Sequence, residues 1–580
     1  YASEVKLPNL EVWVVDSTED VTAQIAKVRV DNPEANAKAL RKITLQLEGD
    51  SMRDTGMRSE VKFRYHGTTA HLYRYKRYTD VRLVWLPEFG VSFCEMHNFK
   101  HRAALDVSLL RVYNPDGTPA ETPNLAIASQ TLADGESVMA VGHPFQTSFE
   151  YPASGIAYLR WYGEFWVNYN QKQMAFFGEF AKRGTAEAEL ATPTYFRWSN
   201  HQQVIAGGLD EVTIANEQLR AAEDSEVADK LEPGIREEFI AALAELARFF
   251  EAFRLEYATW ALLEYKLGFH SQFDLAKLTF DIVRFVREQS RLEHERLDGF
   301  SDANLASLRE QILRRASTIK LDSLMKIELE ATSLAVSLGL LREMLPNPTV
   351  QTLLQGDIQA LTQRFLAETL ITNPAELETL LDGGVTTLEQ SVDPLIAFMR
   401  TVEPIARRAS IKRNVMNGPK DKAYRAIIAA RQVVRGVEYV YTESDSTPRL
   451  LPGIVRKPVL HNADGALPAQ IMLPEVLTHY LAHVGTDEPL KLNDAWFAVE
   501  LADVPVNLAA DNYSIGGVSG SPVLNTALDV VSVAFDGDTA GKKVMAGINA
   551  SSLSVAMAGV VWVLRHIYKA PEALLKELGV

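Results

Sequence analysis

Apolar and polar residues alternate in short runs through residues 1–165, and each run predicts a strand. Leu10-Glu11-Val12-Trp13-Val14-Val15 is rich in β-branched and aromatic residues. Residues 61–65, 71–75 and 81–86 repeat that character, with Gly67 and Thr79-Asp80 as turns. Residues 106–113 form another run, closed by Asn114-Pro115-Asp116-Gly117, a sequence built for a turn. Residues 137–141 run into Gly142-His143-Pro144. Between the first two runs, residues 18–47 carry apolar positions near every 3.6 residues, which predicts helix. Short strands at this spacing predict a barrel or sandwich.

From residue 166 to residue 437 the period becomes helical. Residues 237–267, 272–297, 304–345 and 424–434 are long and charged, with Pro233-Gly234 as a start and Pro346-Asn347-Pro348 as a stop. The heptads are too irregular for a long coiled coil. Runs such as Arg287-Glu288-Gln289 and Glu293-His294-Glu295-Arg296 mix both signs, as a solvated face does, and lack the basic excess of a membrane-surface helix. Strands return at 439–442, 496–501, 530–535 and 544–548, with Ala463-Asp464-Gly465 as a turn, and residues 560–578 predict a C-terminal helix. The expectation is an α+β protein: a β-rich part over 1–165, a helical insert over 166–437 and a β-rich part over 438–580.

Composition narrows the function classes. A formal net charge of −16 argues against general nucleic-acid binding, which needs a basic patch. Cys94 is the single cysteine, so no internal disulfide forms. No run of eighteen apolar residues predicts a membrane span, and no signal peptide is visible. Because the sequence opens at Tyr1 and not at methionine, removal of an N-terminal piece, with any targeting signal it held, is expected. No cofactor or metal is expected. His479 and His483 share a helical face without a third ligand, and Gly207-Gly208 and Gly383-Gly384 lack the Lys-Ser/Thr of a phosphate loop.

Gly516-Gly517-Val518-Ser519-Gly520-Ser521-Pro522-Val523 carries the candidate chemistry. Small residues around a serine allow a tight backbone turn that leaves the hydroxyl exposed. Read alone, the stretch is either a nucleophile loop or a Gly/Ser turn joining two strands. Asp536 in Asp536-Gly537-Asp538 is likewise either a charged anchor for an amine or a turn-closing carboxylate.

Several stretches together resemble the bacterial serine dipeptidyl-peptidases of the dipeptidyl-peptidase 7 and 11 type. They are Tyr75-Lys76-Arg77-Tyr78-Thr79-Asp80-Val81-Arg82-Leu83-Val84, Asp106-Val107-Ser108-Leu109-Leu110-Arg111-Val112-Tyr113, Val504-Pro505-Val506-Asn507, the serine stretch through Asn525, and Ala534-Phe535-Asp536-Gly537. The resemblance implies a chymotrypsin-like double β-barrel with a large inserted helical domain, the first barrel being N-terminally incomplete. It implies release of dipeptides from peptide N-termini by acyl-enzyme hydrolysis. Ser519 matches the nucleophile, and the amides of Gly517 and Ser519 match the oxyanion hole. Asp106 matches the aspartate that orients the histidine, Asp536 the carboxylate that holds the substrate amine, and Gly537 the pocket floor of members that prefer an apolar second residue. Peptide substrates, a homodimer and a periplasmic or secreted location are also implied.

The sequence departs from the family pattern at four places. The family histidine lies in a Thr-Asn-His-His-Cys stretch upstream of the match to Tyr1. Asn98-Phe99 stands, across a length change, where the family has the Asn-Trp pair that helps hold the amine. Val518 replaces the usual Asn, and Val555-Ala556-Met557-Ala558 replaces Val-Asp-x-Arg. The histidines before Asp106 are His66, His71, His97 and His101; His66 and His71 read as surface or pairing residues. From His101 to Asp106 an extended chain spans roughly 17 Å, so contact requires a chain reversal. His143 and His566 read as structural. Two readings follow: a peptidase whose histidine comes from a separate N-terminal segment that completes the first barrel, or a non-catalytic homologue that binds or scaffolds.

Overall fold

The computed structural model describes residues 4–8, 10–92, 104–128, 130–144, 151–209, 212–269, 274–319, 322–436, 446–456, 469–484, 490–512, 517–537 and 552–580. Its thirteen described strands are β1 (Val5–Lys6), β2 (Val12–Asp20), β3 (Arg58–Arg64), β4 (Thr69–Tyr78), β5 (Asp80–Trp85), β6 (Leu109–Tyr113), β7 (Ser137–Gly142), β8 (Arg449–Ile454), β9 (Gln470–Met472), β10 (Pro505–Ala510), β11 (Pro522–Leu524), β12 (Val530–Gly537) and β13 (Ser552–Ala556). They form three sheets, β1-β5-β6, β2-β4-β3 and β8-β7-β11-β12-β13-β10-β9.

The strands of the first β-rich part divide between bodies. β2-β4-β3 is covered by the helix Pro33–Thr55, whose Leu40, Ile43 and Leu47 pack against Val61, Ala70 and Leu72 in a small core. Asn32 caps that helix, its side chain accepting from Ala35 N, and Pro33 occupies the first position. The expected helix over 18–47 is therefore displaced: residues 12–20 complete a strand, and the helices are Thr22–Ala26 and Pro33–Thr55. The β2-β4-β3 unit docks on the helical domain. Arg41 donates to Leu297 O at 2.7 Å, Arg314 pairs with Glu11, and Arg425 donates to His66 O at 2.6 Å. His66 stacks on Tyr424 at 4.2 Å with Nδ1 3.3 Å from Asp421, so it is an inter-unit contact and not a surface residue. β1-β5-β6 instead joins the large sheet: Trp85, Ala104 and Leu105 share one core with Ile471, Trp496, Val506, Phe535, Leu553 and Val555.

The seven-stranded sheet draws β7 from one side of the helical domain and the other six strands from the far side. Val455, just past β8, bridges Ala510 of β10, and Asp511 N donates to Ile454 O at 3.0 Å. One edge is thereby bonded to the strand next to the opposite edge. Met557–His566 packs against β10 with seven of its ten residues buried, where the expectation was a helix over 560–578. A second short helix, Glu572–Glu577, follows it.

The run of helices between the β-rich parts starts with the helix at Ala153 and ends with the one at Arg435. Residues 304–345 form two helices, Asp302–Thr318 and Leu324–Met344. The longest helix, Pro394–Arg435, is capped by Asp393, whose Oδ1 accepts from Leu395 N and Ile396 N, and ends at Gly436 with φ 92°. Inside the domain Arg284 is almost fully buried, held by Glu264 on two nitrogens and by Glu403 Oε1 at 2.7 Å from its Nε. Residues 496–501, expected as a strand, follow a 3₁₀ turn at Asp494–Trp496 and form none. There the indole of Trp496 is buried and donates to Glu88 at 3.1 Å, and this tertiary contact overrides the local alternation. The expected strands at 439–442 and 544–548 lie outside the described residues.

Candidate active site

The serine turn is built from its glycines. Ser521 N donates to Val518 O at 2.9 Å, and Gly520 follows Ser519 with φ 85°. That bond and that positive φ are those of a type II turn, which puts glycine at the third position and Ser519 at the exposed corner. Gly517, before it, also has a positive φ, 97°. The turn lies on β12: Gly520 N donates to Ala534 O at 2.7 Å, and Ala534 N to Ser521 O at 2.9 Å.

β12 is bulged at this point. Ala534 pairs with Ser554 and Asp536 with Leu553, so Phe535 is the extra residue. A bulge takes one residue out of the ladder and re-aims its groups. The Phe535 carbonyl accepts the hydroxyl of Ser519 at 3.0 Å, and its ring is buried in the core shared with Leu105. Asp536 and Gly537, next along the strand, are half-buried. Ser519 is exposed, whereas Val518 is 1% exposed and packs among Val138, Ala140, Leu451, Val523 and Ala534. An apolar residue therefore seats the turn in the core of the sheet.

Asp106 is half-buried and follows a segment fixed at two points. Leu105 N donates to Val91 O at 2.9 Å. Ala104 exchanges two hydrogen bonds with the side chain of Asn507 in β10. Asn507 belonged to a stretch that carried the family resemblance, but no role was read for it. The signal was an amide inside the otherwise apolar Pro505-Val506-Asn507-Leu508-Ala509-Ala510. Gly142, closing β7, is a second residue with an unread role: a Cβ there would lie 2.3 Å from Ser521 Oγ. Asn98, Phe99, His97, His101 and Gly516 lie outside the described residues. His143, beyond Gly142, is exposed, and partial desolvation followed by the nearby Lys62 charge holds its imidazole below the usual range. His566 stacks on Trp562 at 4.7 Å on the C-terminal helix. Among the described residues, no group of three or more His, Cys, Asp or Glu side chains is placed to hold a metal ion, and no helix is long and apolar enough to cross a membrane.

The fold thus sets a glycine-flanked serine turn against a bulged antiparallel strand, beside a large helical unit. The chain belongs to the peptidase S46 family, whose sequence profile matches residues 1–580. It is 23% identical over 516 residues to dipeptidyl-peptidase 7 of Capnocytophaga gingivalis, covering 82% of this chain and 69% of that protein. It is 22% identical over 610 residues to an Asp/Glu-specific dipeptidyl-peptidase of Shewanella putrefaciens, covering 91% of this chain and 78% of that one. The crystal structure of Porphyromonas endodontalis DPP11 in complex with the dipeptide Arg-Glu superposes with a TM-score of 0.73 at 17% identity, over 100% of this chain and 86% of that one. That likeness establishes the fold.

Proposed function

We propose that this protein is a serine dipeptidyl-peptidase that removes dipeptides from peptide N-termini. The carrying observation is the exposed Ser519 hydroxyl, held on the Phe535 carbonyl of a bulged strand with Asp536 as the next residue. In this reading the hydroxyl attacks the scissile carbonyl while a histidine oriented by Asp106 takes its proton. The amides of Gly517 and Ser519 stabilise the oxyanion. The histidine returns the proton to the leaving amine, and water then hydrolyses the acyl-enzyme. Asp536 fixes the substrate ammonium at a set distance from Ser519, which makes the product a dipeptide. Gly537 leaves room for an apolar second residue. In the family that this chain resembles the histidine lies in a Thr-Asn-His-His-Cys stretch, and we propose that a corresponding N-terminal segment supplies the base. We read the seven-stranded sheet as the second barrel of the chymotrypsin-like pair, supported by the Val455–Ala510 bridge. A homodimer and a periplasmic or secreted location complete the proposal.

A second reading, a non-catalytic homologue that binds peptides, is favoured by the engagement of His66 with Asp421 and Tyr424 and of His566 with Trp562. A fluorophosphonate probe separates the two on protein expressed from its complete reading frame. Labelling that vanishes in Ser519→Ala, with release of dipeptides carrying an apolar second residue, supports the peptidase. Absence of labelling in the folded protein refutes it. Preferential cleavage after Asp or Glu refutes the assigned preference.

A further inference from the structure

We propose that Asn507 is a positioning residue that fixes Asp106 relative to Ser519, an inference that rests on the peptidase reading above. All six residues of β10 are buried, and Asn507 is 1% exposed. A buried amide is unfavourable unless both its donor and its acceptor are paired. Here Asn507 Nδ2 donates to Ala104 O at 2.7 Å, and Asn507 Oδ1 accepts from Ala104 N–H at 3.0 Å. One side chain thus bonds both backbone groups of one residue, as an adjacent strand would. Ala104 is two residues before Asp106, and Leu105 between them is fully buried and bonded to Val91. The backbone entering Asp106 is therefore fixed at two successive residues.

From Asn507 the connection runs across the sheet. Asn507 pairs with Val555 in β13, and Val555 pairs with Val533 in β12. Two residues on, Phe535 accepts the Ser519 hydroxyl. Ser519 and Asp106 come from different β-rich parts of the sequence, and this amide ties the Asp106 segment to the ladder that carries the serine turn. A position chosen for packing alone would take an apolar residue, as the other five positions of β10 do.

The test is steady-state kinetics against pH on the full-length protein, with dipeptidyl substrates that have an apolar second residue. Asn507→Leu keeps a similar volume and removes both bonds. We expect kcat to fall about 30-fold with KM within about threefold, because an interaction that matters in the transition state is lost. The acid limb of kcat/KM should move to lower pH, since a histidine without its oriented carboxylate loses its proton more easily. Asn507→Asp keeps the accepting oxygen and loses the donor, so its loss should be intermediate; it also supplies the readout if Asn507→Leu fails to fold. Asn512→Leu is the control for destabilisation alone. Asn512, two residues past the end of β10, is equally buried, but its Nδ2 donates to Leu451 O at 2.6 Å, away from the Asp106 segment. It should lower thermal stability and leave the acid limb in place. The inference is overturned if the Asn507 variants keep the wild-type kcat and acid limb, or change only as Asn512→Leu does. If the wild type neither labels at Ser519 nor turns over, the peptidase reading and this inference fall together.

Discussion

Gly142→Ala is the sharpest test of how the serine turn is seated. A Cβ at this position would lie 2.3 Å from Ser521 Oγ, 3.0 Å from Ser521 Cβ and 3.5 Å from Val518 Cγ1. The optimum for such contacts is near 3.5–4.0 Å. Rotating the Ser521 side chain relieves the contact with its oxygen, but its Cβ stays at 3.0 Å. The remaining overlap has to be taken up by β7 moving away from β11, whose ladder joins Ala140 to Val523 and Met139 to Leu524. Overpacking of this kind costs about 1–3 kcal/mol. If the cost falls on local opening of this strand pair, its amides should exchange about 5- to 150-fold faster. Hydrogen exchange read by mass spectrometry on peptides covering 137–142 and 522–524 measures it directly. Gly142→Ala combined with Ser521→Ala should recover part of the loss, because only the 3.0 Å contact remains, and the coupling between the two should be about 1 kcal/mol. If the protein is a peptidase, the single variant should also react more slowly with the fluorophosphonate, since small misplacements of a nucleophile are costly. Exchange within twofold of wild type in Gly142→Ala, or a double variant no better than the single, would refute the reasoning.

Two further predictions concern stability. Arg284→Met leaves Glu264 and Glu403 buried without their shared guanidinium, and losing one member of a buried ion network costs about 3–5 kcal/mol, so Tm should fall by several degrees; an unchanged Tm counts against it. Glu48 lies on Pro33–Thr55 and accepts from Val61 N at 2.9 Å, and burial pushes its carboxyl up to about 7. The unfolded chain releases this proton near 4.5, while the folded chain holds it to about 7, so the fold binds more protons in between and stability declines as pH rises through that window. Glu48→Gln removes the decline and should stabilise the protein above about pH 7 by at most about 3 kcal/mol, with little effect near pH 4. An equal change in Tm at both pH values would contradict the assignment.

What could be read from the sequence was what is decided locally. Alternation placed β3, β4 and β5 within a few residues, because a half-buried strand writes its two faces into consecutive positions. Pro233 marked a helix start, because proline at the first helical position acts through its own φ and missing N–H; Pro346-Asn347-Pro348, read as a stop, does follow the helix ending at Met344, but Pro348 also opens the short helix Pro348–Leu353. The partition of strands among sheets was not legible. Only Thr79 separates β4 from β5, yet they belong to different sheets, and β7 pairs with strands more than three hundred residues further along the chain. Neither fact leaves a mark on the residues beside it.

The serine turn and the Asp106 segment divide along the same line. Val518, Ser519 and Gly520 carry their own geometry, since the positive φ at Gly520 and the Val518–Ser521 bond need nothing beyond four residues. A turn of this kind is common to many strand connections, so it could not by itself distinguish a nucleophile from a linker. What supports the nucleophile reading is the bulge at Phe535, set by the pairing of β12 with β13, and that pairing is non-local. Asp106 depends on distance in sequence still more strongly, because the amide that holds its segment is 403 residues away from Ala104. The departure at Val518 acquires a physical meaning by the same route. Its side chain packs in the sheet core, so an apolar residue there stabilises the seat of the turn while Ser519 stays exposed.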